Sequence, residues 1–107
     1  MQATAHIPSY VTRVTTGNTQ LQSTDRLVVV NYTGPATSCT VNLADSNALV
    51  TSTYVLIKDA AGIASTVPIH INGFPNNTID GQAMVTIGLN YGTCKLLYTG
   101  NNNWSLV

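Results

Sequence analysis

The sequence predicts an all-β domain, either a β-sandwich or a barrel, made of about eight short strands. Two observations lead to this fold class. Short runs rich in Val, Ile, Leu and Thr alternate apolar with polar residues, which is the period of a strand with one buried face. Turn residues separate the runs at even intervals, without the helices that parallel βαβ units would place between them. Because no repeat of fixed period is present, we do not expect a solenoid or a propeller.

The composition narrows the classes of function. The 107 residues suit one domain, only 7% of them are charged, and the net charge is zero. The four basic residues are scattered, so we expect no nucleic-acid partner. A neutral chain lacks the repulsion that keeps small proteins apart, which favours an oligomer. Neither a transmembrane helix nor a signal peptide is expected, because no long apolar run is present.

Three strands are predicted in the first half of the chain. Residues 10–15 (YVTRVT) alternate in polarity, and residues 27–32 (LVVVNY) have the apolar density of a strand that is covered on both faces. Residues 38–43 (SCTVNL) alternate again. Residues 44–52 are the only helix candidate, either a single turn that Asp45 or Ser46 would cap or a loop.

The central pair of strands is the clearest local pattern. Residues 54–58 (YVLIK) form one strand, and the turn 59–62 (DAAG) leads towards the second strand, residues 67–72 (VPIHIN). Ile69 and Ile71 lie on the face opposite His70. We therefore expect His70 to face solvent or another copy of the chain.

Three more strands complete the predicted fold, over residues 84–89, 94–99 and 104–107. Asp80-Gly81 is a strong tight-turn dipeptide, and residues 100–103 (GNNN) form a hairpin loop before the last strand. Cys39 and Cys94 are not in a C-x-x-C pair. We interpret them as buried free thiols, with a disulfide as the alternative.

Catalytic chemistry has little support in the sequence. The only histidines, His6 and His70, belong to no hydrolase or metalloprotease motif. The four aspartates are dispersed and are explained by turns and caps, so we expect neither a carboxylate pair nor a calcium loop. The chain is therefore predicted not to be an enzyme and to hold no cofactor, with an ion on an oligomer axis left open.

Two clusters of asparagines beside an aromatic residue are the candidate ligand-binding sites. An aromatic ring covers the apolar face of a sugar, and side-chain amides bond to its hydroxyl groups. The alternative is that both rings fill the core while the asparagines form turns. The candidate residues are Asn72, Phe74, Asn76 and Asn77 in one cluster, and Asn101, Asn102, Asn103 and Trp104 in the other.

Several segments, taken in order, resemble the distal tip domains of bacteriophage tail fibres, tail needles and related host-attachment proteins. They span about three quarters of the chain. We accordingly divide the chain into a lead-in with the first strand, residues 1–25, and a tip domain, residues 26–107. The segments are DRLVVVN (25–31), VLIKDAAG (55–62), IHING (69–73), IDG (79–81), YG (91–92), KLLY (95–98) and NWSLV (103–107).

The resemblance implies a jelly-roll-like antiparallel β-sandwich that assembles as a homotrimer. It also implies a place in the virion at the tip of a tail fibre or needle, beside other tail proteins. There the trimer would bind a glycan or a protein of the bacterial surface. The resemblance transfers no catalytic residue and no particular receptor, and no heptad coiled coil precedes residue 25.

Two other hypotheses remain beside the host-attachment tip. A purely structural virion protein, such as a capsid decoration or a plug, would form the trimer without affinity for host cells. A free-standing lectin-like module would bind sugar as a monomer or a dimer, and would lose that binding when Phe74 or Trp104 is replaced by alanine.

Overall fold

The computed structural model describes residues 11–107. This part of the chain contains ten strands and a one-turn 3-10 helix, Ser46–Ala48. The strands are β1 (Val11–Thr15), β2 (Thr19–Gln20), β3 (Asp25–Val30), β4 (Cys39–Asn42), β5 (Tyr54–Asp59), β6 (Ile69–Asn72), β7 (Thr78–Ile79), β8 (Met84–Ile87), β9 (Thr93–Gly100) and β10 (Asn103–Leu106).

The strands form two sheets, which confirms the predicted all-β class. The first sheet has six strands in the order β1-β3-β5-β9-β10-β7, and the second has four in the order β2-β4-β6-β8. Five of the eight pairings are parallel, and three are antiparallel, namely β5 with β9, β9 with β10, and β6 with β8. The prediction of an antiparallel sandwich is therefore wrong for most pairings, and the jelly-roll-like topology is not confirmed.

Four of the five parallel pairings arise because the chain alternates between the two sheets from β1 to β6, and the fifth joins β7 to β10. Each strand from β3 to β6 lies beside the strand two places earlier, running in the same direction. Val28 pairs with Arg13, fifteen residues before it, and with Ile57, 29 residues after it. One passage of the chain through both sheets is here called a coil. Because successive coils differ in length, this winding leaves no repeat of fixed period in the sequence.

All eight predicted strands are present in the described residues, with ends that differ by up to two residues. Tyr10, the first residue of the predicted first strand, and His6 lie outside the described residues. The predicted helical turn is also present, and the Asp45 carboxylate caps it by accepting a hydrogen bond from the N–H of Asn47 at 2.9 Å. Two strands of only two residues, β2 and β7, were not predicted.

The core lies between the two sheets and is formed by alternate residues of their strands. Both cysteines are free thiols, as interpreted, but only Cys39 is buried, whereas Cys94 is half-buried. The core also holds the Trp104 ring, 5.3 Å from the Tyr98 ring between centroids. The buried hydrophobic residues are Leu21, Val28, Val30, Cys39, Val41, Leu43, Ala44, Val55, Ile57, Ala64, Ile69, Ile71, Ile79, Ile87, Leu96, Tyr98 and Trp104.

The outer faces of the two sheets differ in chemistry. The outer face of the first sheet, here called the apolar face, carries half-buried Leu27, Val29, Leu56 and Leu97. Only one face of β3 is fully covered, so the expectation of a strand covered on both faces is wrong within the single chain. The outer face of the second sheet, here called the polar face, presents mostly polar side chains, those of Thr40, Asn42, His70, Asn72 and Thr86, together with the exposed Met84 in register with Asn72.

The predicted lead-in is tied into both sheets where it is described. β1 pairs with β3, and β2 pairs with β4. The Arg13 guanidinium also donates from Nε to Oδ2 of the fully buried Asp25 carboxylate at 2.8 Å. The division of the chain at residue 25 into a lead-in and a tip domain stays a prediction. Strands on the two sides of this division pair with each other.

Candidate functional site

The candidate site lies at the carboxyl ends of three parallel strands of the second sheet. β2 ends at Gln20, β4 at Asn42 and β6 at Asn72, and these three residues are in register with one another. Side chains in register on adjacent strands share a face. The sheet therefore gathers three amides, here called the amide row, at one edge of the polar face.

Hydrogen bonds fix the orientation of the amide row. Asn72 donates from Nδ2 to Oδ1 of Asn42 at 3.1 Å. Gln20 donates from Nε2 to the carbonyl oxygens of Leu21 and Leu43, at 3.1 and 3.0 Å. Within the described residues, Gln20 Oε1, Asn42 Nδ2 and Asn72 Oδ1 have no protein partner, which leaves two acceptors and one donor group for a ligand.

Phe74 follows the amide row by two residues and separates two open clefts. Its half-buried ring and the Gln20 side chain line both of them. The larger cleft, about 370 Å³, is also lined by Asn42, Leu43, Gly73 and Pro75. The smaller, about 240 Å³, is also lined by Leu21, Gln22, Ser23, Ala44, Asp45 and Ala48.

The other two candidates of the first cluster have different surroundings. Asn76 is exposed and occupies the left-handed region of backbone space, with φ of 71°. Asn77 is buried, and its Nδ2 donates to Ser46 Oγ at 3.3 Å. Asn77 therefore holds the loop in place, whereas Phe74 lines both clefts. Asn72 lines neither cleft and contacts their lining through its bond to Asn42.

The second cluster has the surroundings of a turn and a core. Trp104 is 1% exposed, so its ring has no free face for a ligand. Asn101 and Asn102 have φ of 53° and 62°, the positive values that a two-residue hairpin turn requires. Asn103 accepts at Oδ1 from Thr78 Oγ1 at 2.7 Å.

The two predicted clusters are nevertheless neighbours in the fold. The Ser46 hydroxyl donates to Oδ1 of Asn102 at 3.1 Å and accepts the bond from Asn77. β7 and β10 pair directly beside this bridge. The contact joins the loop after β6 to the last hairpin, which steadies the loop that carries Phe74.

Sequence reasoning identified Asn72 and Phe74 but missed Gln20 and Asn42. Both missed residues are amides at polar positions of short strands, a pattern shared with many other residues of this chain. Only the pairing of β2, β4 and β6 makes them neighbours of Phe74. No signal within a single strand would have distinguished them.

A third concavity, about 550 Å³, lies beside β8, the edge strand of the second sheet. Leu89, Tyr91 and Val107 are its most exposed large side chains. Burial, and then the nearby Asp80 carboxylate, raise the pKa of the Cys94 thiol at its wall. Its lining lacks the group of convergent amides that marks the Phe74 clefts.

The described residues bring together few groups suited to catalysis. The His70 Nδ1 atom lies 3.0 Å from Thr86 Oγ1. Residues 11–107 contain no cluster of three His, Cys, Asp or Glu side chains that could hold a metal ion. No helix in that range has the length and apolar character needed to cross a membrane.

Comparison with known proteins adds no family to this description. No protein-family model matches the chain, and no curated protein matches it.

Proposed function

We propose that this chain is the tip domain of a bacteriophage tail fibre or tail needle, a homotrimer that attaches the virion to the bacterial surface. The observation that carries the proposal is the contrast between its two outer faces. The apolar face suits association with copies of the chain, and the polar face presents the amide row and the Phe74 clefts. The segments that resemble phage tip domains support the same assignment.

The apolar face would be covered by the other two copies in the trimer. Leu27 and Leu56 are paired neighbours on it, and Tyr54, 44% exposed, pairs with Leu97. The zero net charge of the chain leaves little repulsion to oppose their association.

The two cations on this face are held by aromatic residues of the same chain. Lys95 Nζ lies 5.7 Å from the centre of the Tyr54 ring. Lys58 donates from Nζ to the carbonyl oxygen of Tyr91, and its Nζ lies 5.5 Å from the centre of that ring. These contacts keep both charges near rings of their own chain, so the apolar residues between them are left to meet another copy.

Attachment through three copies would use many weak contacts at once. A trimer presents three pairs of Phe74 clefts, and simultaneous binding multiplies their effective affinity. The receptor would be a glycan or a protein of the host surface, and other tail proteins would hold the domain in the virion.

Two measurements test the proposal together. Light scattering should give three times the 11.3 kDa of one chain, and the labelled protein should adsorb to host bacteria in a panel of strains. A trimer that adsorbs to no strain would favour the structural virion protein instead. A monomer that binds cells would favour the free-standing lectin-like module, for which the cleft beside Phe74 is the supporting observation.

A further inference from the structure

We infer that the two clefts flanking Phe74 form one binding site for a neutral oligosaccharide, with a sugar ring on each side of the Phe74 side chain. The inference rests on the proposed function, because it identifies where and what the attachment domain would bind. Three features of the site lead to it, namely its shape, its hydrogen-bonding groups and its charge.

The shape suits two adjoining sugar rings. Ligand pockets usually measure about 300–1,000 Å³, and the two clefts lie near or below the lower end of that range. Each therefore fits a small unit such as one monosaccharide. The ring of Phe74 lines both clefts, so one side chain can contact the apolar C–H faces of two successive sugars.

The hydrogen-bonding groups match sugar hydroxyls, each of which both donates and accepts. Of the amide row, Gln20 and Asn42 line the clefts, and within the described residues they leave the acceptor Gln20 Oε1 and the donor group Asn42 Nδ2 without a protein partner. The bond from Asn72 to Asn42 and those from Gln20 to backbone carbonyls hold these groups in place before a ligand arrives. Such preorganisation lowers the entropy cost of binding.

The spacing of the amides also suits an extended glycan. Adjacent strands of a sheet lie about 4.8 Å apart. This is close to the length that one sugar residue adds to an extended chain. An oligosaccharide that crosses β2 and β4 would therefore meet Gln20 and Asn42 on its two successive sugars.

The charge of the site selects against acidic sugars. Among residues 11–107, Asp45 is the only ionisable residue that lines either cleft. Its carboxylate would repel a uronic or sialic acid. The Arg26 guanidinium bonds to the carbonyl oxygens of Ser23 and Asp25 and does not line either cleft. A neutral or amino sugar is thus favoured over an acidic one.

The test uses the full chain on an array of neutral and acidic oligosaccharides. The wild-type protein should bind neutral members. Phe74→Leu, which keeps an apolar side chain but removes the ring, and Asn42→Ala should each lower that affinity on the order of tenfold. Asn31→Ala changes an exposed amide at the end of the first sheet and should bind as the wild type does.

Titration with the neutral oligosaccharide that binds best on the array gives a second readout. The side-chain NH₂ resonances of Gln20 and Asn42 should shift, while that of Asn31 stays in place. Circular dichroism confirms that each variant is folded. If Phe74→Leu does not fold, Gln20→Ala takes its place with the same expected loss.

Specific outcomes would overturn the inference. They are binding to acidic members alone, binding to no neutral member, and unchanged affinity in both Phe74→Leu and Asn42→Ala. None of these results decides the proposed function, which depends on the mass in solution and on adsorption to bacteria. If the Phe74→Leu and Asn42→Ala variants adsorb to cells as well as the wild type does, the attachment role stands and this site is ruled out.

Discussion

At the scale of single residues, the buried Asp59 carboxylate accepts more hydrogen bonds than any other carboxylate in residues 11–107. It is 1% exposed and accepts hydrogen bonds from the backbone N–H groups of Gly62, Ala64 and Tyr91, at 3.1, 2.9 and 3.1 Å. The turn after β5 and the loop before β9 are therefore held by one side chain. The sequence predicted its role in the local turn, but the bond to Tyr91 depends on a distant part of the chain.

Replacing Asp59 by alanine should lower the free energy of unfolding by about 3 kcal/mol, because three backbone donors lose their acceptor. Asp45→Ala is the matched control. It removes the cap of a one-turn helix and should cost about 1 kcal/mol or less. Urea unfolding of both variants measures the difference. Equal losses would show that the Asp59 bonds contribute no more than a surface cap does.

The two thiols give a prediction about pH. Burial raises the pKa of Cys39 and Cys94 above the ordinary value of 9.0. The folded state therefore favours the protonated thiols, so their contribution to stability is complete below about pH 9 and is lost as the pH rises further. Urea unfolding across this pH range should show that the free energy of unfolding declines, and that it declines less in Cys94→Ala than in the wild type. An identical decline in both proteins would contradict the contribution of the Cys94 thiol to this pH dependence.

The candidate site shows what residue patterns can and cannot predict. Phe74 and Asn72 were identifiable because an aromatic residue among loop amides is a local pattern. Trp104 lies in the same local pattern, yet it is buried against Tyr98. Local composition does not reveal on which side of a sheet an aromatic ring packs. Long-range strand pairing decides this, and the same pairing brings Gln20 and Asn42 to the site.

At the scale of elements, strand positions were predictable and strand neighbours were not. Alternating apolar residues mark each strand, because one face of each must be buried. The same alternation is compatible with parallel and antiparallel neighbours. Here the connections from β1 to β6 cross between the sheets, which places strands of the same direction side by side. The unequal coil lengths then hide this winding from any search for repeats.

The turn after β5 gives a prediction at this scale. Gly62 has φ of 74°, and a Cβ atom there would lie 2.3 Å from Cζ of Tyr91. Gly62→Ala should therefore lower the free energy of unfolding by about 2 kcal/mol. Gly17, in the turn after β1, has no atom within 4 Å of the corresponding position.

Gly17→Ala is therefore the control, and its effect should stay within about 0.5 kcal/mol. Thermal or urea unfolding of Gly62→Ala and Gly17→Ala measures the difference between their free energies of unfolding. A Gly62→Ala protein as stable as Gly17→Ala would mean that the Tyr91 ring moves aside without cost.

The first strand gives a second prediction at the scale of elements. Arg13 on β1 is the partner of the Asp25 carboxylate, which is fully buried at the start of β3. Arg13→Met keeps most of the alkyl chain but leaves that charge without its cation. Unfolding should become easier by about 3 kcal/mol. An unchanged free energy of unfolding would indicate that β1 contributes little to the stability of the domain. That result is expected of a lead-in segment with no structural role.

At the scale of the whole molecule, the two faces assign separate tasks to the two sheets. The apolar face is the proposed contact between copies, and the polar face is the proposed contact with the host. Leu56→Glu places a charge at the centre of the apolar face and should convert the trimer into an 11.3 kDa monomer. Its matched control is Thr40→Glu, a half-buried position on the polar face, which should stay trimeric.

Light scattering of both variants decides between the faces, and circular dichroism shows that each is folded. Dissociation by Thr40→Glu with an intact Leu56→Glu trimer would place the contact on the opposite side of the molecule.

The unequal coils have a consequence for how such a domain can evolve. Parallel pairing fixes the position of each strand relative to its neighbour but sets no length for the segment that joins the two sheets. The segment between β3 and β4 is exposed from residue 33 to residue 37. Insertions and deletions there would leave both sheets intact, at a closure cost that grows only slowly with length. The length of this loop can therefore change rapidly in evolution while the domain still folds.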